Sequence, residues 1–165
     1  MRTYFDTSLL LKSYIPESGS AQALEILRDR KGPFPLSHLL ELELRSAIRL
    51  KHGRGEIKAV EMRGALQALE SDIAAGILTR PAYDLEEVFR LAEAISSKYA
   101  APTLARSADL WHVAAALQAG CIAFASVDER QRKVAKLCGL EVIPHEDNCP
   151  ALQTRKKKDK GHSHS

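Results

Sequence analysis

Residues 120–143 have the sequence GCIAFASVDERQRKVAKLCGLEVI, and this stretch decides the expected fold. The apolar run at 122–125 is typical of a buried strand, and residues 140–143 predict a second strand that ends at Pro144. Between them, a helix is predicted to begin near Ser126 and to end near Gly139. Strands separated by helices predict a parallel sheet covered on both faces, which is an α/β fold.

The rest of the chain continues this alternation of strands and helices. Strands are predicted at residues 2–5, 34–36 and 77–80, and helices at 9–14, 21–30, 38–52, 85–99 and 108–119, with one more helix ending near residue 75. Of the 165 residues, 45% are hydrophobic, which is enough for one core and excludes a disordered chain. We therefore expect one domain over residues 1–150 and a basic, disordered tail at 151–165.

The net charge of +3 is concentrated at the C-terminal end of the chain. Residues 154–165 carry five basic residues and one acidic residue, which leaves 19 basic and 20 acidic residues in 1–153. A body with a net charge of −1 gives no overall argument for nucleic-acid binding. Any such contact has to come from a local basic patch.

The sequence also argues against membrane-spanning and cysteine-based architectures. The longest nearly apolar stretch, residues 113–127, is interrupted by Gln118, Gly120 and Ser126 and is too short to span a bilayer. The N-terminus has no signal-peptide pattern, so we expect a cytoplasmic protein. The three cysteines, at 121, 138 and 149, form no CxxC pair, which excludes a zinc ribbon and argues against a disulfide framework.

Three aspartates occupy positions that favour a ligand site. Asp6 and Asp128 each follow a predicted strand, and the carboxyl ends of parallel strands share the sheet edge at which ligands bind. Asp109 shares a helix face with Val113 and Ala116 in a segment that is apolar nearly all round. Each of them also has a structural explanation. Asp6 can cap a helix, Asp109 can favour a helix dipole from the first turn, and Asp128 lies within a possible capping box.

That capping box is the pattern Ser126-x-x-Glu129, in which Ser126 would be the helix cap. A fourth acid, Glu43, has no such explanation, because it lies within the apolar face that we expect for the 38–52 helix. This face comprises Leu39, Leu40, Leu44, Ala47 and Leu50. A carboxylate on a packing face is destabilised by desolvation unless a cation or metal meets it.

Taken together, the four acids predict a cluster of oxygen ligands without a His or Cys partner at ligand spacing. Hard cations such as Mg²⁺ or Mn²⁺ prefer this donor set, whereas zinc usually recruits nitrogen or sulfur. His112 lies one turn beyond Asp109. We expect a packed core histidine there, and a hydrogen-bond donor to the ligand carboxylates is the alternative.

Four sequence blocks surround these acids and are spread along the body of the chain. They are Tyr4-Phe5-Asp6-Thr7-Ser8-Leu9-Leu10, Ser37 with Glu43-Leu44-Arg45-Ser46-Ala47, Ser107-Ala108-Asp109-Leu110-Trp111-His112, and Ser126-Val127-Asp128-Glu129-Arg130. In these blocks, and in their order, the sequence resembles the PIN-domain nucleases. Among these it is most similar to the VapC-type toxins of bacterial and archaeal toxin–antitoxin pairs.

The resemblance implies a Rossmann-like three-layer α/β/α sandwich with a short, mainly parallel central sheet. It also implies hydrolysis of RNA phosphodiester bonds with Mg²⁺, for which Mn²⁺ can substitute, by an acidic site of Asp6, Glu43, Asp109 and Asp128. We assign Asp6 and Asp109 as the primary metal ligands, and Glu43 and Asp128 as ligands or as groups that orient water. Thr7 and Ser126 match the family's hydroxyl positions. A homodimer and a cognate antitoxin that blocks the acidic cleft are implied as well.

RNA phosphates would need a basic surface, and residues 44–63 carry six basic residues against two acidic ones. We therefore predict RNA contacts from Arg45, Arg49 and Arg54 in this segment. A solvated helix face or an antitoxin-binding surface is the alternative, and Arg45 is also placed to pair with Glu41 four residues before it.

Two other functions stay open from the sequence. A non-catalytic PIN-like scaffold would bind RNA or a partner and use its acids only as helix caps. A Mg²⁺-dependent phospho-aspartate protein would use Asp6 as a nucleophile, but it would also require a lysine beyond a late strand, and none fits well.

Overall fold

The computed structural model describes residues 2–145, and its elements follow the predicted order. The strands are β1 Thr3–Phe5, β2 Phe34–Pro35, β3 Leu78–Thr79, β4 Ala123–Ala125 and β5 Glu141–Ile143. The helices are α1 Thr7–Tyr14, α2 Ser20–Arg30, α3 His38–Gly53, α4 Ala59–Ala74, α5 Leu85–Thr103, α6 Ser107–Gln118 and α7 Glu129–Leu137. The basic tail at 151–165, predicted to be disordered, lies outside the described residues, as does Cys149.

Every strand pair that the described residues form is parallel. The larger sheet has the order β1-β4-β5, in which Tyr4 is in register with Phe124, and Phe124 with Val142. Strands β2 and β3 form a second pair, which packs beside β1. The predicted parallel α/β sandwich is confirmed, with short strands between layers of helices.

The core explains why such short strands are stable. All residues of β1 and β4 are buried, and Tyr4 stacks on Phe124 with ring centroids 5.5 Å apart. Helix α6 is buried from Asp109 to Ala116 and packs against α5 and α7. Because α6 presents almost no exposed face, any polar side chain on it must find a partner within the fold.

Two local predictions were wrong. Leu50 is 55% exposed, because the buried stripe of α3 runs through Leu40, Leu44 and Ile48, and a step of two residues turns about 200° around a helix. Helix α5 continues to Thr103 instead of ending near residue 99, and it stops at Leu104, which has a positive φ of 56°. Among residues 2–145, each helix is too short or too polar to cross a membrane.

Candidate active site

Strands β1 and β4 end side by side and place Asp6 beside Ser126. The backbone N–H of Asp6 donates to the carbonyl of Ala125 (2.9 Å), which extends the strand pairing by one residue. Ser126, which is fully buried, donates its hydroxyl to Asp6 Oδ2 (2.7 Å). The predicted meeting of strand ends at one sheet edge therefore occurs between these two residues.

Asp6 is the most buried of the four acids, with 1% of its surface exposed. It caps α1 by accepting the N–H of Leu9 (3.0 Å), and the hydroxyl of Ser8 lies 2.8 Å from each of its oxygens. Burial raises the pKa of Asp6, although the hydrogen bonds from Ser126, Leu9 and Ser8 oppose this shift. The groups that donate hydrogen bonds to this carboxylate are neutral, so a cation in this place would stabilise its ionised form further.

Asp128 caps helix α7, and the predicted capping box at Ser126 is wrong. Asp128 Oδ1 accepts the N–H groups of Arg130 (2.8 Å) and Gln131 (3.3 Å). The chain is still extended at Asp128, so the helix begins later than a cap at Ser126 requires. The hydroxyl of Ser126 instead accepts the N–H of Asp128 (3.0 Å) while it donates to Asp6, and thereby links the two acids.

Asp109 lies in the first turn of α6 and is 6% exposed. Its Oδ2 accepts the N–H of Arg106 (2.8 Å), and its Oδ1 accepts the amide of Gln131 (3.2 Å). The guanidinium of Arg130 lies between two acids, 3.3 Å from Asp128 Oδ2 and 3.8 Å from Asp109 Oδ2. Partial burial acts to raise the pKa of Asp128, but Arg130 and the capping N–H groups outweigh it and lower that pKa.

Glu43 lies in the middle of α3 and makes side-chain contacts with two other helices. Its Oε2 accepts hydrogen bonds from Thr7 Oγ1 of α1 and from His112 Nε2 of α6 (2.9 Å). No described residue donates to its Oε1, and the side chain is 32% exposed. Partial burial acts to raise the pKa of Glu43, but the contacts with His112 and Thr7 outweigh it and lower that pKa.

The contacts of His112 continue inward from Glu43. The ring is 1% exposed, and its Nδ1 lies 2.9 Å from the hydroxyl of Tyr4 on β1. The same hydroxyl lies 2.8 Å from Oγ of Ser37, the residue that caps α3. His112 is therefore both a packed core histidine and a hydrogen-bond partner of a candidate ligand, Glu43.

The four acids are linked through single bridging residues. Ser126 joins Asp6 to Asp128, Arg130 and Gln131 join Asp128 to Asp109, and Thr7, the neighbour of Asp6, contacts Glu43. In residues 2–145 no three His, Cys, Asp or Glu side chains lie close enough together to hold a metal ion as they stand.

The three predicted RNA-contacting arginines have different environments. Arg45 pairs with Glu41 (2.8 Å), as the sequence spacing predicted, and also with Glu70 (2.7 Å). Arg54 is 67% exposed and lies 3.9 Å from Glu56. Arg49 is exposed and has no ion-pair partner in the described part of the chain. Arg49 and Arg54 are therefore available to an anionic ligand, whereas the charge of Arg45 is already balanced.

Several residues of this site were not predicted from the sequence to have a role in it, namely Tyr4, Ser8, Arg130 and Gln131. Ser8 had a usable signal, because a hydroxyl two residues after a helix cap commonly contacts that cap. The Oε1 atom of Gln131 is buried without a hydrogen-bond partner among residues 2–145, although its amide nitrogen binds Asp109. Such an unpaired acceptor beside a carboxylate marks a place that a cation or its water can fill.

A protein-family model, the PIN domain, matches residues 3–137. The chain belongs to the PIN-domain family. The solved structure of FitAcB from Neisseria gonorrhoeae resembles it with a TM-score of 0.57 and 21% identity, covering 85% of this chain and 95% of that one. At this identity the likeness concerns the fold. A search of curated proteins finds no match.

PIN domains are generally nucleases, and they generally use divalent metal ions. The residues present fit such an ion in their chemistry. The candidate ligands are carboxylate oxygens, Oε1 of Glu43 has no donor within the described residues, and Asp6 is ionised only against the cost of burial. An oxygen-only donor set suits a hard cation.

Proposed function

We propose that this PIN domain is a metal-dependent endoribonuclease that hydrolyses RNA phosphodiester bonds. The hydrogen bonding of the Glu43 side chain is the observation that supports this proposal most strongly. Helix capping accounts for Asp6, Asp109 and Asp128, each of which accepts backbone N–H groups at a helix start. Glu43 is in mid-helix and binds no backbone group, yet two side chains hold one of its oxygens. This arrangement supports a ligand role better than a structural one.

The proposed roles follow from burial and hydrogen bonding. Asp6 and Asp109, the two least exposed acids, hold the cation, and Glu43 and Asp128, each with a side chain 32% exposed, complete its shell or orient the attacking water. Mg²⁺ or Mn²⁺, when bound, supplies Lewis-acid catalysis of phosphodiester hydrolysis. Ser126 and Thr7 keep Asp6 and Glu43 in fixed orientations, which reduces the entropy lost on reaching the reactive geometry.

We further propose that the nuclease is the toxin of a type II toxin–antitoxin pair. PIN domains often occur in such systems, and the four sequence blocks resemble the VapC-type toxins. A cognate antitoxin, a homodimer and a cytoplasmic location are part of this proposal. Exposed Arg49 and Arg54 are the proposed contacts to the RNA backbone.

One specific observation favours a second candidate, the non-catalytic scaffold. Three of the four acids accept backbone N–H groups at helix starts, and a non-catalytic scaffold would also need these hydrogen bonds. The phospho-aspartate alternative is disfavoured, because it requires a lysine beyond a late strand and none fits well.

The test is RNA cleavage by variants that keep the caps intact. We would incubate the purified chain with total cellular RNA, with Mg²⁺, Mn²⁺ or chelator, and map new RNA ends for wild type, Asp6→Asn and Glu43→Gln. Glu41→Gln is the matched control, since Glu41 lies on the same helix and pairs with Arg45 and Arg80 instead. We expect metal-dependent cuts that both site variants lose and the control retains.

Cuts that persist in both site variants would refute the proposed site. Absence of cuts together with absence of metal binding by the wild type would support the scaffold. The amide substitutions keep an acceptor oxygen at each position, so a folded inactive variant separates chemistry from helix capping.

A further inference from the structure

A chain of buried polar side chains connects the core to Glu43. It runs from Ser37 through Tyr4 and His112 to the Glu43 carboxylate, with successive distances of 2.8, 2.9 and 2.9 Å. Its first three members are at most 1% exposed. We call these four residues the Ser37–Glu43 relay.

The hydrogen-bond directions of the relay follow from its last member. An ionised carboxylate only accepts, so His112 Nε2 carries the hydrogen that it donates to Glu43. In the tautomer that carries its hydrogen on Nε2, Nδ1 accepts, so Tyr4 donates to it. The Tyr4 oxygen in turn accepts from Ser37, whose own oxygen accepts the N–H of Leu40 (3.2 Å). Each of the three contacts of the relay thereby has one donor and one acceptor in a single consistent arrangement.

We propose that His112 is a positioning residue that fixes the Glu43 carboxylate for metal binding, and that Tyr4 and Ser37 fix His112. This inference rests on the proposed nuclease function. His112 and Thr7 both donate to Oε2, so Oε1 is the oxygen that they leave for the metal. A side chain that donates a hydrogen bond to a metal-binding side chain sets the orientation and the basicity of that side chain.

The relay connects separate elements of the fold, which gives it rigidity. Tyr4 is on β1, His112 on α6, Glu43 on α3, and Ser37 at the start of α3. A glutamate side chain without such contacts samples many rotamers, and this freedom is lost when it binds a metal. Because the relay orders Glu43 before binding, the metal binds more tightly.

A structural role alone makes a different prediction. If the relay served only to satisfy buried polar groups, its loss would lower stability and leave metal affinity unchanged. A matched control exists elsewhere in the chain. The hydroxyl of Tyr14 on α1 donates to Asp72 Oδ2 on α4 (2.7 Å), so Tyr14→Phe removes a similar hydrogen bond from a carboxylate outside the site.

The experiment measures Mn²⁺ binding to the full chain by calorimetry, together with thermal unfolding and RNA cleavage. Tyr4→Phe keeps the ring stacked on Phe124 and removes only the hydroxyl. For His112→Phe we expect an Mn²⁺ affinity about 10–100-fold weaker, which is the range typical for loss of a residue that hydrogen-bonds a metal ligand. For Tyr4→Phe, whose hydroxyl contacts His112 and not Glu43, we expect a smaller effect of about 3–10-fold. His112→Gln, which retains an N–H donor, recovers part of the loss, and Tyr14→Phe leaves the affinity unchanged.

Folded Tyr4→Phe and His112→Phe proteins with wild-type Mn²⁺ affinity would overturn the inference while the nuclease proposal stands. If His112→Phe does not fold, Tyr4→Phe decides the question alone. A Tyr14→Phe protein that loses Mn²⁺ affinity as strongly as Tyr4→Phe would also overturn it, because stability would then account for both. A wild type that neither binds Mn²⁺ nor cleaves RNA would refute the proposed function itself.

Discussion

Replacement of Ser126 by alanine perturbs the contact that joins two acids of the site. The Ser126 hydroxyl is fully buried, donates to Asp6 Oδ2 (2.7 Å) and accepts the N–H of Asp128 (3.0 Å). A hydrogen bond to a charged group contributes about 1.5–3 kcal/mol, and an ordinary one about 1 kcal/mol. Ser126→Ala should therefore lower the free energy of unfolding by about 2–4 kcal/mol near neutral pH in the absence of metal.

This loss should depend on pH. The Ser126 hydroxyl favours ionised Asp6 and opposes the rise in its pKa that burial causes, so its removal raises that pKa further. Once Asp6 is protonated the hydrogen bond becomes an ordinary one, and the difference between the proteins should shrink by about 1–2 kcal/mol toward about pH 4.

Urea unfolding in chelator, at about pH 7 and about pH 4, measures both effects. Ser97→Ala is the control, since Ser97 is exposed and donates only to the carbonyl of Ala94 within its own helix. We expect it to change stability by less than about 0.5 kcal/mol at either pH. A Ser126→Ala loss that equals the control, or that is the same at both pH values, would refute the assignment of Ser126 as a donor to ionised Asp6.

Three further predictions concern charge. Burial raises the pKa of Asp6 in the folded chain above its unfolded value, so wild-type stability falls as pH rises through the folded pKa. Asp6→Asn should therefore be the more stable protein near neutral pH without metal, and it should lose this advantage below about pH 4. Equal urea unfolding curves for the two proteins at neutral pH would contradict this. Arg130→Gln removes a cation from between two acids and should tighten Mn²⁺ binding in calorimetry, while Arg130→Lys should not; unchanged affinity in both would argue against competition. Arg49→Glu with Arg54→Glu should weaken RNA binding and reduce its salt dependence, whereas Arg28→Glu, at an exposed position on α2, should do neither. An unchanged salt slope would exclude this surface as the phosphate contact.

The elements of this fold were accessible from sequence because local signals agree with the tertiary structure. The apolar run at 122–125 became β4, and Ser37, a residue type that favours helix starts, caps α3 by accepting the N–H of Leu40. The placement of Asp6 and Asp128 at neighbouring strand ends followed from parallel pairing alone.

Contacts between distant residues were less accessible. Sequence identified Glu43 as an acid in need of a partner, but its partners Thr7 and His112 lie 36 and 69 residues away. No periodicity encodes which buried donor meets which acceptor, since that choice depends on how three helices pack. The wrong prediction of a capping box at Ser126 has the opposite origin. The local sequence pattern indicated a helix cap, but the Ser126 hydroxyl instead makes a long-range hydrogen bond to Asp6.

The helix caps bear on how this fold would change if its activity were no longer needed. Asp6, Asp109 and Asp128 satisfy backbone N–H groups, so selection for a folded chain alone would preserve them. Glu43 binds no backbone N–H group, since both of its hydrogen bonds are to side chains. In an inactive descendant the three aspartates would persist, whereas position 43 would need only an acceptor for the buried Nε2 of His112, so the residue at that position, rather than the number of retained acids, would distinguish an active protein from an inactive one.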